Sequence, residues 1–220
     1  MPRPLFLALL VAASPLTAAA QAWQPLFDGK TLSGWHTYRR PGDTAGWEVQ
    51  GGSIVRTGSG GDLVTDRSFT DFELRFDWKV MKGGNSGVFY RLDEGAGRAT
   101  FQSAPEYQVL DDLVHPDGKS RLTAAGANYG LYPSPERLVR PAGEWNEGRI
   151  VVRGAEVEHW LNGQLAVRYT LGSGDWEARV QGSKFAQWPE YGRAASGRIA
   201  LQDHGDQVWY RNVRIREFSK

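Results

Sequence analysis

Three short stretches of this 220-residue chain concentrate groups that can move protons and hold hydroxyls. Glu106 and Gln108 stand two apart in Glu106-Tyr107-Gln108-Val109-Leu110-Asp111. Gln202 and His204 stand two apart behind Ile199 and Leu201, and Asn85 opens Asn85-Ser86-Gly87-Val88-Phe89-Tyr90-Arg91. In a β-strand, residues two apart share a face. If Tyr107, Val109, Ile199 and Leu201 point into a core, one opposite face collects Glu106, Gln108, Gln202 and His204. Alternation adds Asn85, Gly87, Phe89 and Arg91 to it. A carboxyl and an imidazole suit general acid–base work, a guanidinium stabilises a developing anion, and amides orient hydroxyls. Each residue also has a plainer use, such as an Arg91–Glu106 surface ion pair or His204 capping the turn before Gly205.

Other chemistries are excluded or disfavoured. With no cysteine there is no disulfide framework, thiolate zinc site, iron–sulfur cluster or thiol nucleophile. There is no nucleophile elbow, phosphate loop or His-Glu-x-x-His helix. The paired-carboxylate strand of laminarinase-type glucanases, Glu-x-Asp-x-x-Glu, is approached only by Glu73-Leu74-Arg75-Phe76-Asp77, with an arginine where a carboxylate is needed. Asp111, Asp112 and Asp117 lack calcium-loop spacing and read as a solvated acidic loop. Lys plus Arg is 26 against 25 Asp plus Glu, so no basic field exists for nucleic acid or an anionic membrane.

The elements that must position these groups read as strands. Residues 72–80 alternate apolar and polar throughout, which buries Phe72, Leu74, Phe76, Trp78 and Val80 on one face. Residues 156–161 and 164–169 flank Asn162-Gly163, a type I′ hairpin signal. Further strands are expected at 47–49, 53–56, 62–65, 87–91, 106–110, 149–153, 198–202 and 208–218, with one short helix at 175–180. Turn residues at short spacing indicate an all-β sandwich in a single domain, 23–220. Loops 113–128 and 182–196 are long enough to be functional. Of the 9 tryptophans, most are expected in the core, with Trp188 the first candidate to face a ligand. His159, beside Trp160, is the remaining histidine expected to reach the site.

Residues 1–22 read as a signal peptide: Arg3, an apolar run from Leu5 to Ala13, then Ala20-Gln21-Ala22 before Trp23, with a cut before Gln21 as the alternative. The run falls short of the ~20 residues of a membrane span, and no cysteine is present for a lipid anchor. An exported chain, periplasmic or secreted, is expected.

Seven motifs in order give a resemblance over essentially the whole mature chain. They are Leu26-Phe27-Asp28-Gly29-Lys30-Thr31-Leu32-Ser33-Gly34-Trp35, Gly84-Asn85-Ser86-Gly87-Val88-Phe89-Tyr90-Arg91, Glu106-Tyr107-Gln108-Val109-Leu110-Asp111, Gly143-Glu144-Trp145-Asn146, His159-Trp160-Leu161-Asn162-Gly163, Gly197-Arg198-Ile199-Ala200-Leu201-Gln202-Asp203-His204-Gly205 and Arg211-Asn212-Val213-Arg214-Ile215. Together they resemble the 3-keto-disaccharide hydrolase domain family. That resemblance implies a concanavalin-like jelly-roll β-sandwich of two curved antiparallel sheets with few short helices and the site on a concave face. It also implies exported bacterial enzymes that cleave 3-keto-glycosides by elimination across carbons 1 and 2 with rehydration. On this reading His204 is the base or a metal ligand and Glu106 the other acid/base. Arg91, Gln108, Gln202 and Lys184 orient the sugar and stabilise the enolate, with Asn85, Asp111, Trp188 and His159 as further substrate contacts. A divalent metal on the ketone through His204 with Glu106 and a metal-free site are both open. A non-catalytic carbohydrate-binding module on the same fold is the competing reading.

Overall fold

The computed structural model describes residues 22–135 and 138–218. Residues 1–21 of the leader-like segment lie outside the described residues. In chain order the strands are β1 Gln24–Pro25, β2 Trp35–Thr37, β3 Trp47–Gln50, β4 Ser53–Arg56, β5 Leu63–Thr65, β6 Phe72–Val80, β7 Asn85–Leu92, β8 Glu106–Leu110, β9 Asn146–Arg153, β10 Glu156–Leu161 and β11 Gln164–Thr170. Helix α1, Gly174–Gln181, and strands β12 Arg198–Leu201 and β13 Val208–Glu217 complete the chain. Every strand expected from the sequence forms, to within three residues at its ends, and α1 covers the expected helix. Strands β1 and β2, of two and three residues, are too short to leave a periodic signature.

The strands form two antiparallel sheets. One has the order β11-β10-β9-β6-β13-β4-β3 with β1 paired to β13, and the other the order β2-β5-β12-β7-β8. Phe72, Leu74, Phe76, Trp78 and Val80 of β6 are each at most 2% exposed and pack between the sheets. They meet Val88, Tyr90, Tyr107, Val109, Ile199 and Leu201 from the second sheet. The two inner faces thus make a sandwich core of the jelly-roll kind. The β10–β11 hairpin turns through Asn162 (φ 51°) and Gly163 (φ 81°), the left-handed pair a type I′ turn needs. No helix among the described residues is long and apolar enough to cross a membrane.

The tryptophans depart from expectation. Trp35, Trp47, Trp78 and Trp176 are buried, but Trp23, Trp145, Trp160 and Trp209 are half-buried on the outer face of the larger sheet. There basic side chains stack on them: Arg75, Arg214 and Arg216 on Trp23, Arg149 on Trp160, and Lys79 on Trp145 and Trp209. Strand alternation places an aromatic opposite a cation, and the cation's stem and charge cover the ring. Glu73, from the glucanase-like stretch, lies on this same outer face, hydrogen-bonded to Arg75 and Arg216 and ion-paired with Arg149.

Candidate functional site

The smaller sheet carries a row of paired residues on the face turned away from the core. His36 pairs with Val64, Val64 with Ala200, Ala200 with Phe89 and Phe89 with Glu106. The next row holds Gly87 opposite Gln108, and the Gln202 N–H donates to the Gly87 carbonyl at 2.9 Å. Asn85 follows Gly87 on the same face. Above these rows lies a cavity of about 460 Å³ lined by Asn85, Glu106, Gln108, Lys184, Gln202 and His204, with Asp62 and Tyr129 in its walls. Six of the residues singled out from the sequence therefore share one concavity.

Glu106 sits at its floor, 6% exposed. Its carboxylate lies across β7 at Gly87. A Cβ added there would run into the carboxylate and stand 2.8 Å from Glu106 Cδ, so only glycine leaves room for this rotamer. Burial pushes the Glu106 carboxyl up to about 8, and the charges of Asp62 and Asp117 push the same way, against Lys184 and a hydrogen bond from Gln202. A carboxyl tuned near neutrality is suited to proton transfer. Gly87→Ala is expected to displace it and reduce kcat about a hundred-fold with little change in melting temperature, which steady-state kinetics and a thermal melt would check.

Around this carboxyl the polar groups are prepared for a ligand. The amide oxygens of Asn85, Gln108 and Gln202 are buried and accept no hydrogen bond from the protein. Gln108 Nε2 is held by the Thr123 carbonyl at 3.1 Å, which fixes its oxygen toward the cavity side of β8. Unpaired buried acceptors cost free energy until something donates to them, and sugar hydroxyls are suitable donors. Lys184 reaches over the Tyr129 ring with Nζ 4.5 Å from its centroid. His204 is exposed at the rim, its ring centroid 6.3 Å from that of His115.

Asp62 was not found by sequence reasoning. It opens the β5 segment, and burial pushes its carboxyl up to about 6. One oxygen accepts from the Asp203 N–H at 2.7 Å and the other from the Thr100 hydroxyl. Asp203 is itself held by Arg56 and by the N–H groups of Gly60 and Gly61. This network fixes the segment 202–204 against the 60–62 loop. The one available signal was the acidic residue in Gln202-Asp203-His204. Tyr38, Arg98, Phe101 and Tyr129 come from loops that show no periodicity.

Four residues expected at the site lie elsewhere. Arg91 leaves the face because β7 bulges: Arg198 pairs with Leu92 but Ala200 with Phe89, so Tyr90 and Arg91 together oppose Ile199. Arg91 takes the left-handed conformation, φ 52°, and alternation read from Asn85 fails beyond Phe89. His159 faces inward with Val157 and Leu161. It is fully buried between Tyr90, whose hydroxyl is 2.8 Å from Nε2, and the Gly126 carbonyl, 3.1 Å from Nδ1. Burial pulls its imidazole down to about 4, so it is neutral in the core. Asp111 accepts from the N–H groups of Gly83 and Leu113, at 2.8 and 3.1 Å, and stitches two turns together. Trp188 packs edge-on against Phe101 at 5.1 Å and backs that cavity-lining ring instead of lining the cavity. Among the described residues no three His, Asp or Glu side chains converge to hold a metal ion. The pair His204 and Glu106, one at the rim and one at the floor, does not form such a set.

The sequence model of the 3-keto-alpha-glucoside-1,2-lyase-like domain matches residues 22–216. The chain belongs to this family. It is 36% identical over 232 residues to a 3-keto-disaccharide hydrolase of Bacteroides thetaiotaomicron, covering 91% of this chain and 80% of that protein. A crystal structure of a glycosyl hydrolase candidate from Parabacteroides distasonis superposes with a TM-score of 0.84 at 36% identity, over 90% of this chain and 94% of the other. A carbohydrate-binding module from Bacillus subtilis shares the fold at 13% identity and a TM-score of 0.54, over 84% of this chain and 96% of the module. The function is of the glycoside-hydrolase type.

Proposed function

We propose that the enzyme cleaves glycosides whose sugar carries a ketone at carbon 3, by elimination and rehydration. The observation that carries this reading is the Glu106 carboxyl, buried across Gly87 among unpaired amides and pushed up to about 8. A ketone at carbon 3 acidifies the carbon 2 proton. The Glu106 carboxylate takes that proton, and the electron pair moves into an enolate whose oxygen is met by Lys184 and the cavity amides. The enolate collapses by expelling the carbon 1 oxygen, which His204 protonates where the cavity opens to solvent. Water then adds across the resulting double bond, hydroxyl to carbon 1 and proton to carbon 2, and the sum is a hydrolysis. A rim position suits the leaving-group acid, because the aglycone must project outward.

A two-carboxylate glycosidase would need a second free carboxylate beside Glu106. Asp62 and Asp203 are the other acidic groups lining the cavity; the oxygens of Asp62 accept from Asp203 N–H and Thr100, and those of Asp203 from Arg56, Gly205, Gly60 and Gly61. The bare binding-module reading does not account for a buried carboxyl tuned toward neutrality. Release of the aglycone from a 3-keto-glucoside, compared with the unoxidised glucoside, tests the proposal. Release from the keto substrate alone supports it. Equal release from both, or none from either, overturns it. The leader-like segment 1–22 supports an exported, periplasmic or secreted, enzyme, which cell fractionation would check.

A further inference from the structure

A second concavity, of about 420 Å³, opens at the far end of β7 from Glu106, and Arg91 lines it. Arg91 is 6% exposed, so its charge is largely withdrawn from water. The fold satisfies one of its nitrogens. Nη2 donates to the carbonyls of Thr70 and Gly154 at 3.1 and 2.7 Å and stands 3.5 Å from Asp71 Oδ1. Nε is buried with no acceptor, and Nη1 has none among the described residues. Asp71 neutralises the guanidinium only in part, since its near oxygen also accepts from the Gly154 N–H at 2.9 Å and the residue is 26% exposed. A buried arginine left with open donors and a counterion shared with another donor is costly unless an anion completes it.

The backbone points the same way. Arg91 holds a left-handed conformation that a bulky side chain adopts at a cost of about 1 kcal/mol or more, and the bulge turns it out of the catalytic face toward this concavity. The walls are small: Gly154, Ala155, Gly172, Gly192 and Ala194 line the concavity beside Arg91, and Leu171 adds one apolar surface. Arg193 at the edge is already paired with Glu177 through both of its terminal nitrogens.

We propose that this concavity binds a monosaccharide-sized ligand bearing one carboxylate, a uronate, with the carboxylate at Arg91 Nη1, the terminal nitrogen that the fold does not engage. A monoanion fits because Asp71 beside it disfavours a second negative charge, and arginine forms its strongest pairs with carboxylates. The volume and the flat Gly/Ala walls accommodate a sugar ring beside that pair. The site is separate from the Glu106 cavity and does not depend on the reaction proposed for it.

Isothermal titration of the full chain with sodium glucuronate, with glucose at matched ionic strength as the control, tests the inference. Saturable binding of glucuronate in about the millimolar range and none of glucose is expected. Ala155→Glu, at an exposed wall position, should abolish glucuronate binding and leave aglycone release unchanged. Arg91→Lys, shown folded by its melting curve, should weaken binding at least tenfold. Absence of saturable glucuronate binding at tens of millimolar, equal binding of glucose, or binding retained in Ala155→Glu overturns the assignment.

Discussion

Glu106→Gln is expected to lose about a hundred- to ten-thousand-fold in turnover and at the same time to melt at a higher temperature than the unmodified enzyme at pH 8. The two effects have one cause. Burial raises the Glu106 carboxyl to about 8, so the folded state holds its proton more tightly than the unfolded chain does. Such a group contributes full stability below its ordinary pKa, near 4.5. That contribution is lost as pH rises from there through about 8. A neutral glutamine of the same shape carries no such penalty, so the gain at pH 8 is on the order of a few kcal/mol and vanishes near pH 4. Thermal melts of both proteins at the two pH values check the sign. Equal melting temperatures at pH 8 would contradict a buried, strained ionisation. In kinetics, kcat/KM of the unmodified enzyme should rise with pH toward a plateau above about 8, as required of a base. A profile that instead falls through this range would make Glu106 the acid and His204 the base.

The largest loss of stability is expected far from the cavity, at Glu73. Its side chain is 1% exposed, with Arg149 Nε at 2.6 Å, Arg216 Nε at 2.8 Å and Arg75 Nε at 3.0 Å. Burial alone would raise its carboxyl, but the hydrogen bonds from Arg216 and Arg75 and the charge of Arg149 overcome this and hold it below the usual range. Removing it in Glu73→Ala leaves three guanidiniums crowded on neighbouring strands with no shared acceptor. Loss of one partner from a buried ion cluster costs about 3–5 kcal/mol. Because each arginine is 26–33% exposed and can turn to water, about 3 kcal/mol is expected. Urea unfolding at pH 7 measures it, and kcat should not change. In the unmodified protein this contribution is complete above the ordinary carboxylate pKa and is lost as pH falls through the lowered value. Unchanged urea stability in Glu73→Ala would show that the arginines, not the carboxylate, organise this face.

How far the site could be read from sequence follows from what each residue depends on. Glu106, Gln108 and Asn85 were legible because each sits on a strand, and Gln202 because it directly follows β12; the inward neighbours are large and apolar, so alternation assigned the face. Arg91 broke that reasoning, because a bulge is set by how β12 and β7 pair, which no local pattern encodes. His159 is legible by the same rule. It alternates with Val157 and Leu161, and the same rule applied to β10 places it in the core. A half-buried tryptophan stacked under arginine or lysine carries the same sequence signal as one in the core. Asp62, Phe101 and Tyr129 reach the cavity through pairings between distant segments, such as Asp62 with Asp203 and Thr100. Lys184 was suggested by the family pattern and not by its own loop.

The central claim, that this cavity removes a proton from carbon 2 of a 3-keto sugar, is tested most directly with a 3-keto-glucoside deuterated at carbon 2. Aglycone release by the unmodified enzyme should slow by a primary isotope effect of several-fold at saturating substrate, and the label should be lost to solvent as the aglycone leaves. Release at an unchanged rate, with deuterium retained at carbon 2 in the product sugar, would contradict the elimination and the role given to Glu106.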